Sequence, residues 1–138
     1  MIKKLIFGLS LWLFATTLSF GANFDDGLNA AEKGDYKTAF TIFEDLASKG
    51  DIEAQYNLGL MYKNGQVVKQ DYKKAIEWYE KSANQGNTKA QFNLGIMYAN
   101  GQGVIQDKKR AKEYFGKACD GGYQKGCHNY KILNQQGY

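Results

Sequence analysis

Two cysteines and a single histidine are the side chains of this sequence most able to do chemistry. Seven residues separate Cys119 from Cys127, which is not the spacing of cysteine pairs that bind zinc. His128 follows Cys127 directly, so the three side chains would supply only three ligands, two of them from adjacent positions. The sequence therefore predicts no metal-binding residue and no cofactor.

Hydroxyl nucleophiles are also scarce. The chain has four serines, and none is followed three residues later by lysine, as the nucleophile of a serine β-lactamase is. Gly101 and Gly103 lack the further glycine and the preceding strand of a phosphate-binding loop. We therefore predict no catalytic residue.

The composition is that of a small globular domain or a short repeat array. The 138 residues are 43% apolar and 23% charged, with 16 glycines and no proline. The net charge is +4, and without Lys3 and Lys4 the balance is 16 basic against 14 acidic residues, too weak to predict a nucleic acid partner. The densest basic run, 108–112, has two interpretations. It is either the solvated face of a helix, which the sequence favours, or a contact with an anionic surface or lipid headgroups.

The start of the chain has the order of a secretory signal peptide. Residues 1–4 contain two lysines, and an apolar run follows over residues 5–18. The small residues Ser19 and Gly21 then stand three and one positions before a cleavage point. We therefore predict a signal peptide over 1–21.

An uncleaved membrane anchor is the alternative, because residues 5–24 carry no charge and are long enough to span a bilayer. Small and polar residues interrupt this stretch, which favours cleavage and no stable membrane insertion afterwards. The mature domain, 22–138, would then lie in the periplasm or outside the cell. A disulfide between Cys119 and Cys127 is the default there, whereas a cytosolic protein would keep two free thiols.

An internal repeat organises the mature chain. Residues 54–89 and 90–125 align without gaps at a period of 36, and nineteen of the 36 positions are identical. The unit before them, 24–53, joins the same register, and residues 126–138 remain as a C-terminal capping helix. Three sets of identical residues carry the period through the units: Asp35, Asp71 and Asp107; Ala39, Ala75 and Ala111; Gly50, Gly86 and Gly122.

Each unit is predicted to form two helices, which makes the chain all-α. In the second unit the first helix ends at Asn64-Gly65, and Asp71 caps the second helix. Gly59 and Gly95 lie within helices, where glycine costs about 1 kcal/mol relative to alanine, so we expect a packed neighbour to approach closely there. Lys131 takes this place in the last helix, as suits the end of an array.

The recurring positions resemble the Sel1-like repeat, a relative of the tetratricopeptide repeat. The second unit carries Ala54, Leu58, Gly59, Tyr62, Gly65, Val67, Asp71, Ala75, Trp78, Tyr79, Ala83 and Gly86. The third carries Ala90, Leu94, Gly95, Tyr98, Gly101, Gly103, Asp107, Ala111, Tyr114, Phe115, Cys119 and Gly122. The resemblance implies a right-handed α-solenoid that binds another protein or peptide along a concave face made by the first helix of each unit.

By this analogy, the variable positions of the first helices should line the concave face. We predict the partner-binding residues Tyr56, Leu60, Lys63, Asn64, Phe92, Ile96, Asn100 and His128. The alternative for Tyr56 and Phe92 is packing between repeats. Burial of the apolar ends of so short an array in an oligomer is a further interpretation.

The cysteines resemble those of the exported, cysteine-rich branch of bacterial Sel1-like proteins. Cys119 takes the place of Ala83, and Cys127 takes the place of Gln91, so a bridge would join one repeat to the next. Some members of that branch carry a β-lactamase or penicillin-binding label. The resemblance therefore implies β-lactam binding or hydrolysis as the alternative function, although no catalytic motif supports it.

The signal peptide yields the first testable prediction. We expect the exported protein to begin at Ala22, because cleavage after Gly21 satisfies the small-residue rule. N-terminal sequencing of the protein recovered from outside the cytoplasm measures this directly. Recovery of the intact chain, with residues 1–21, from the membrane fraction would instead indicate the anchor.

Overall fold

A computed structural model describes residues 21–138, and this part of the chain consists of seven α-helices without a strand. The all-α prediction is confirmed. The predicted signal peptide lies outside the described residues, apart from Gly21. None of the helices in 21–138 has the length and apolar character needed to cross a membrane. The helices are α1 (Phe24–Glu32), α2 (Tyr36–Ser48), α3 (Ile52–Asn64), α4 (Tyr72–Asn84), α5 (Thr88–Asn100), α6 (Lys108–Asp120) and α7 (Gln124–Gln135).

Local sequence explains where these helices begin and end. The Asp71 carboxylate accepts the backbone N–H of Lys74 at 3.0 Å, as predicted for the start of α4, and Asp107 caps α6 in the same way. Gly65 and Gly101 end α3 and α5 in the left-handed conformation, each with φ of 67°.

The helices pack in chain order, each against the next, as three pairs followed by the single helix α7. Each pair contributes an aliphatic and aromatic cluster, and the clusters continue from one unit to the next. The central cluster, for example, joins Ala75 and Tyr79 of α4 to Leu94 and Met97 of α5. This arrangement is a solenoid in which each unit completes the core of its neighbour.

Glycines in the first helix of each pair allow an aromatic ring of the second helix to lie on the backbone. A Cβ atom at Gly59 would stand 2.7 Å from the ring of Tyr79, and one at Gly95 would stand 2.5 Å from the ring of Phe115. The close approach predicted at Gly59 and Gly95 is therefore confirmed. Gly27 repeats the contact with Phe43 at 2.6 Å, which sequence analysis missed because the first unit has a shorter turn.

At each junction between units, the same two positions of the repeat link neighbouring helices, either by a hydrogen bond or by a pair of cysteines. The side-chain amide of Gln55 donates to the carbonyl of Ala47 at 3.2 Å, and Gln91 donates to that of Ala83 at 3.1 Å. At the third junction these two places are held by Cys127 and Cys119, which lie at disulfide-bonding distance with their Cα atoms 4.5 Å apart. A covalent link therefore replaces a hydrogen bond at the last junction.

The ring-on-glycine contact predicts that Gly95→Ala destabilises the fold even though alanine favours a helix. Phe115 is buried and held against Phe92, so its ring cannot move away from an added methyl group. We expect a net loss of about 1–2 kcal/mol, since overpacking costs more than the helix propensity returns. Thermal unfolding followed by circular dichroism measures the effect.

Gly116→Ala in α6 is the matched control. Its new methyl group would meet only the ring of Tyr130 at 3.3 Å, and that ring is 40% exposed and free to shift. This substitution should leave the melting temperature unchanged or raise it. A higher melting temperature for Gly95→Ala would contradict the packing argument.

The shared junction geometry predicts that a second crosslink can be introduced. We expect Ala83→Cys with Gln91→Cys to form a disulfide, because these positions correspond by the repeat to Cys119 and Cys127. Thiol titration of the folded protein before and after reduction measures both bridges. The wild-type chain and the double variant should show no free thiol before reduction, and Ala83→Cys by itself should show one. Two reactive thiols in the oxidised double variant would show that the junctions differ.

Candidate functional site

All eight predicted partner-binding residues belong to α3, α5 and α7, and none of them is fully buried. The surface that α1, α3, α5 and α7 leave outside the core clusters is here called the A-helix face. Three sets of side chains repeat along it at the period of 36: Tyr56, Phe92 and His128; Leu60, Ile96 and Ile132; Asn57, Asn93 and Asn129. The face is neither fully buried nor fully solvated, because most of these side chains are half-buried.

The aromatic rings on this face are partly committed to packing. The ring of Tyr56 lies 5.9 Å from that of Tyr79, and Phe92 lies 5.5 Å from Phe115 and 5.2 Å from Tyr123. Both rings therefore support the aromatic residue that lies on the glycine of their own unit. Burial raises the pKa of the Tyr56 phenol, against a smaller opposing effect of its hydrogen bond with Asn93.

His128 continues the aromatic set on α7 and differs from it in burial. Its side chain is exposed, whereas Tyr56 and Phe92 are half-buried.

The aliphatic set becomes more accessible toward the end of the array. Leu60 and Ile96 are half-buried against the core clusters, while Ile132 is 38% exposed. Leu60 and Ile96 were predicted from the sequence and Ile132 was not, although the repeat period places it directly after Ile96. Leu28, which is 36% exposed, occupies the related place on α1 and was hidden by the shorter first turn.

The asparagine set was also missed by sequence analysis. Asn57 donates to the carbonyl of Glu53 at 2.8 Å. All three asparagines are partly exposed, and their recurrence at 36 residues is the signal that could have identified them. A side-chain amide both donates and accepts hydrogen bonds, as is required to bind a peptide backbone.

A small apolar cavity of about 240 Å³ opens on the A-helix face between α5 and α7. Its walls include Ile96 and Ile132 on the apolar side and the amides of Asn100 and Asn129 on the polar side. Two of the predicted residues thus meet at one concave place. The cavity is large enough to accept one or two apolar side chains.

The remaining predicted residues lie at the ends of the first helices. Asn64 and Asn100 are exposed just before the left-handed glycines, and Lys63 is half-buried beside them. The carbonyl of Lys63 accepts a hydrogen bond at 2.8 Å from the side chain of Gln70, which closes the following loop onto the helix. These side chains form the rim of the A-helix face.

The described serines have structural roles. Ser82 is fully buried and its hydroxyl donates to the carbonyl of Ile52 at 2.8 Å, so it links α4 to α3. The hydroxyl of Ser48 donates to the carbonyl of Asp45 in its own helix. Neither residue supports the β-lactam alternative. Within 21–138, no group of three or more His, Cys, Asp or Glu side chains is arranged to hold a metal ion.

Comparison with solved structures identifies proteins of the same fold. A Sel1 repeat protein from Oxalobacter formigenes superposes with a TM-score of 0.74 at 27% identity, over 84% of this chain and 51% of that protein. The cysteine-rich protein B of Helicobacter pylori superposes with a TM-score of 0.69 at 26% identity, over 75% of this chain and 79% of that protein. A protective antigen present in uropathogenic Escherichia coli strains superposes with a TM-score of 0.62 at 29% identity, over 86% of this chain and 34% of that protein.

The chain thus spans about half the length of the Oxalobacter protein and about a third of the Escherichia coli antigen. These likenesses confirm the α-solenoid prediction.

No curated protein matches the sequence. The sequence profile of the Sel1 repeat matches residues 52–87 and 88–123, slightly more than half of the chain. Sel1 repeats generally mediate protein–protein interaction. Repeat period, helix pairs and glycine contacts agree with these matches, and the chain belongs to the Sel1 repeat family.

Proposed function

We propose that this protein is an exported adaptor that binds an extended segment of another protein along the A-helix face. The observation that carries the proposal is the cavity between α5 and α7, where apolar walls adjoin side-chain amides. An apolar side chain of the partner would enter between Ile96 and Ile132. The amides of Asn100 and Asn129 would then bond the backbone of the same segment.

Two observations support an extracytoplasmic location. The cysteine pair lies at disulfide-bonding distance, and disulfides persist in oxidising compartments. The chain also begins with two lysines followed by an apolar run, the order of a signal peptide. A cysteine-rich relative of the same fold agrees with this location.

The proposal predicts that the exposed wall of the cavity, and not the half-buried rings, is the place to interrupt binding. Replacing Tyr56 and Phe92 would remove packing against Tyr79 and Phe115 together with any partner contact. Ile132→Glu changes a side chain that is already 38% exposed, so it should leave the fold intact. We expect it to weaken peptide binding at least about tenfold, since a charge would enter an apolar contact.

Peptides selected by phage display on residues 22–138 supply the probe for this measurement. Fluorescence titration then compares wild type, Ile132→Glu and the matched control Ile105→Glu, which changes an isoleucine 91% exposed on a loop outside the cavity. Full binding by Ile105→Glu, with loss in Ile132→Glu, would support the A-helix face. Equal binding by all three proteins would contradict it.

A further inference from the structure

Positive charge is concentrated at one edge of the solenoid. The loops after α3 and α5, together with the first turns of α4 and α6, comprise residues 65–74 and 101–110, here called the loop edge. The loop edge carries six lysine or arginine residues and two aspartates. The other residues of 21–138 carry ten basic and twelve acidic side chains, so the rest of the described chain has a net negative formal charge.

The two segments of the loop edge lie side by side. A Cβ atom at Gly103 would stand 2.7 Å from Cβ of Tyr72 and 3.2 Å from the backbone nitrogen of Lys73. Val104 also packs in the cluster that includes Tyr72. The basic start of α4 is therefore continuous with the basic loop and start of α6.

The two acidic residues of the loop edge cap helices and leave it with an excess of basic side chains, six against two. The carboxylates of Asp71 and Asp107 each accept a backbone N–H at 3.0 Å, at the starts of α4 and α6. Lys69, Lys73 and Lys109 are exposed, and no carboxylate of residues 21–138 lies within ion-pair distance of them. These three ammonium groups face solvent.

Apolar side chains project from the same loops. Ile105 is 91% exposed and Val67 is 53% exposed. Val67 has φ of 66°, an unfavourable conformation for a β-branched residue, and Gly103 holds the corresponding place in the next unit at φ of 71°. Core packing does not explain a valine there, because the side chain is more than half exposed.

We propose that the loop edge binds the surface of an anionic phospholipid bilayer. Ile105 and Val67 would enter the boundary between headgroups and acyl chains, while Lys69, Lys73 and Lys109 contact lipid phosphates. Charge complementarity identifies an anionic partner, and the projecting aliphatic side chains favour a bilayer over a nucleic acid. The nearby ring of Tyr98 is unavailable for base stacking, because it is buried between Arg110 at 4.5 Å and Tyr114 at 5.6 Å.

This contact would leave the A-helix face free, since Ile132 and the cavity between α5 and α7 lie outside the loop edge. The proposal is therefore independent of partner binding, and the two can fail separately. In this arrangement, the loops of the loop edge attach the protein to the bilayer surface.

Vesicle sedimentation tests the electrostatic part of the proposal. Residues 22–138 contain all seven helices and omit the apolar start of the chain, which would itself enter lipid. We expect this protein to sediment with vesicles of phosphatidylglycerol and phosphatidylcholine in equal parts, and to stay in solution with phosphatidylcholine alone. Binding should weaken as salt is added.

A matched pair of charge variants locates the surface. Lys69→Glu, Lys73→Glu and Lys109→Glu together should abolish sedimentation. Lys49→Glu, Lys89→Glu and Lys125→Glu make the same change in net charge at the opposite edge and should retain it. Equal loss in both triple variants, or equal binding, would overturn the assignment to the loop edge.

Two further variants test the apolar part. Ile105→Asn should weaken binding about tenfold, whereas Ile132→Asn should leave it unchanged. Val67→Gly should also weaken binding, and loss of folding cannot account for that result because glycine accepts the positive φ without strain. Unchanged binding by Ile105→Asn, together with complete competition by a DNA duplex, would show a polyanion site and overturn the bilayer proposal.

Discussion

The contact between an aromatic ring and a helix glycine governs the geometry of every helix pair in this protein. Phe43 lies on Gly27, Tyr79 on Gly59 and Phe115 on Gly95, each so close that a single methyl group would collide with the ring. The absence of a Cβ atom lets the two helices approach, and the ring fills the space that the approach creates. The second unit uses tyrosine at this place, and its hydroxyl has no hydrogen-bond partner among residues 21–138. Burial raises the pKa of Tyr79.

This packing also limits what the A-helix face can offer a partner. The rings of Tyr56 and Phe92 lean on Tyr79 and Phe115, so their inner sides hold the units together and only their outer edges remain free. The face gains accessible apolar surface toward α7, where Ile132 is 38% exposed.

Repetition lets one position serve different chemistry in successive units. The junction that uses a glutamine amide at Gln55 and Gln91 becomes a cysteine pair between α6 and α7. Helices α4 and α6 share a second feature, in which a lysine lies over an aromatic ring: Lys81 lies 4.2 Å from the ring centre of Trp78, and Lys117 lies 5.3 Å from that of Tyr114.

The sequence by itself determined the repeat period, the helix ends and the need for a close neighbour at Gly59 and Gly95. Such features follow from residues a few positions apart: Asp71 caps a helix through the third residue after it, and Gly65 ends one through its own φ. Only the tertiary structure decided which ring lies on each glycine, how far Tyr56 and Phe92 are buried, and that Gly103 lies against the start of α4. These features depend on side chains from different helices, and their separation is set by packing across the units, which local propensity does not encode.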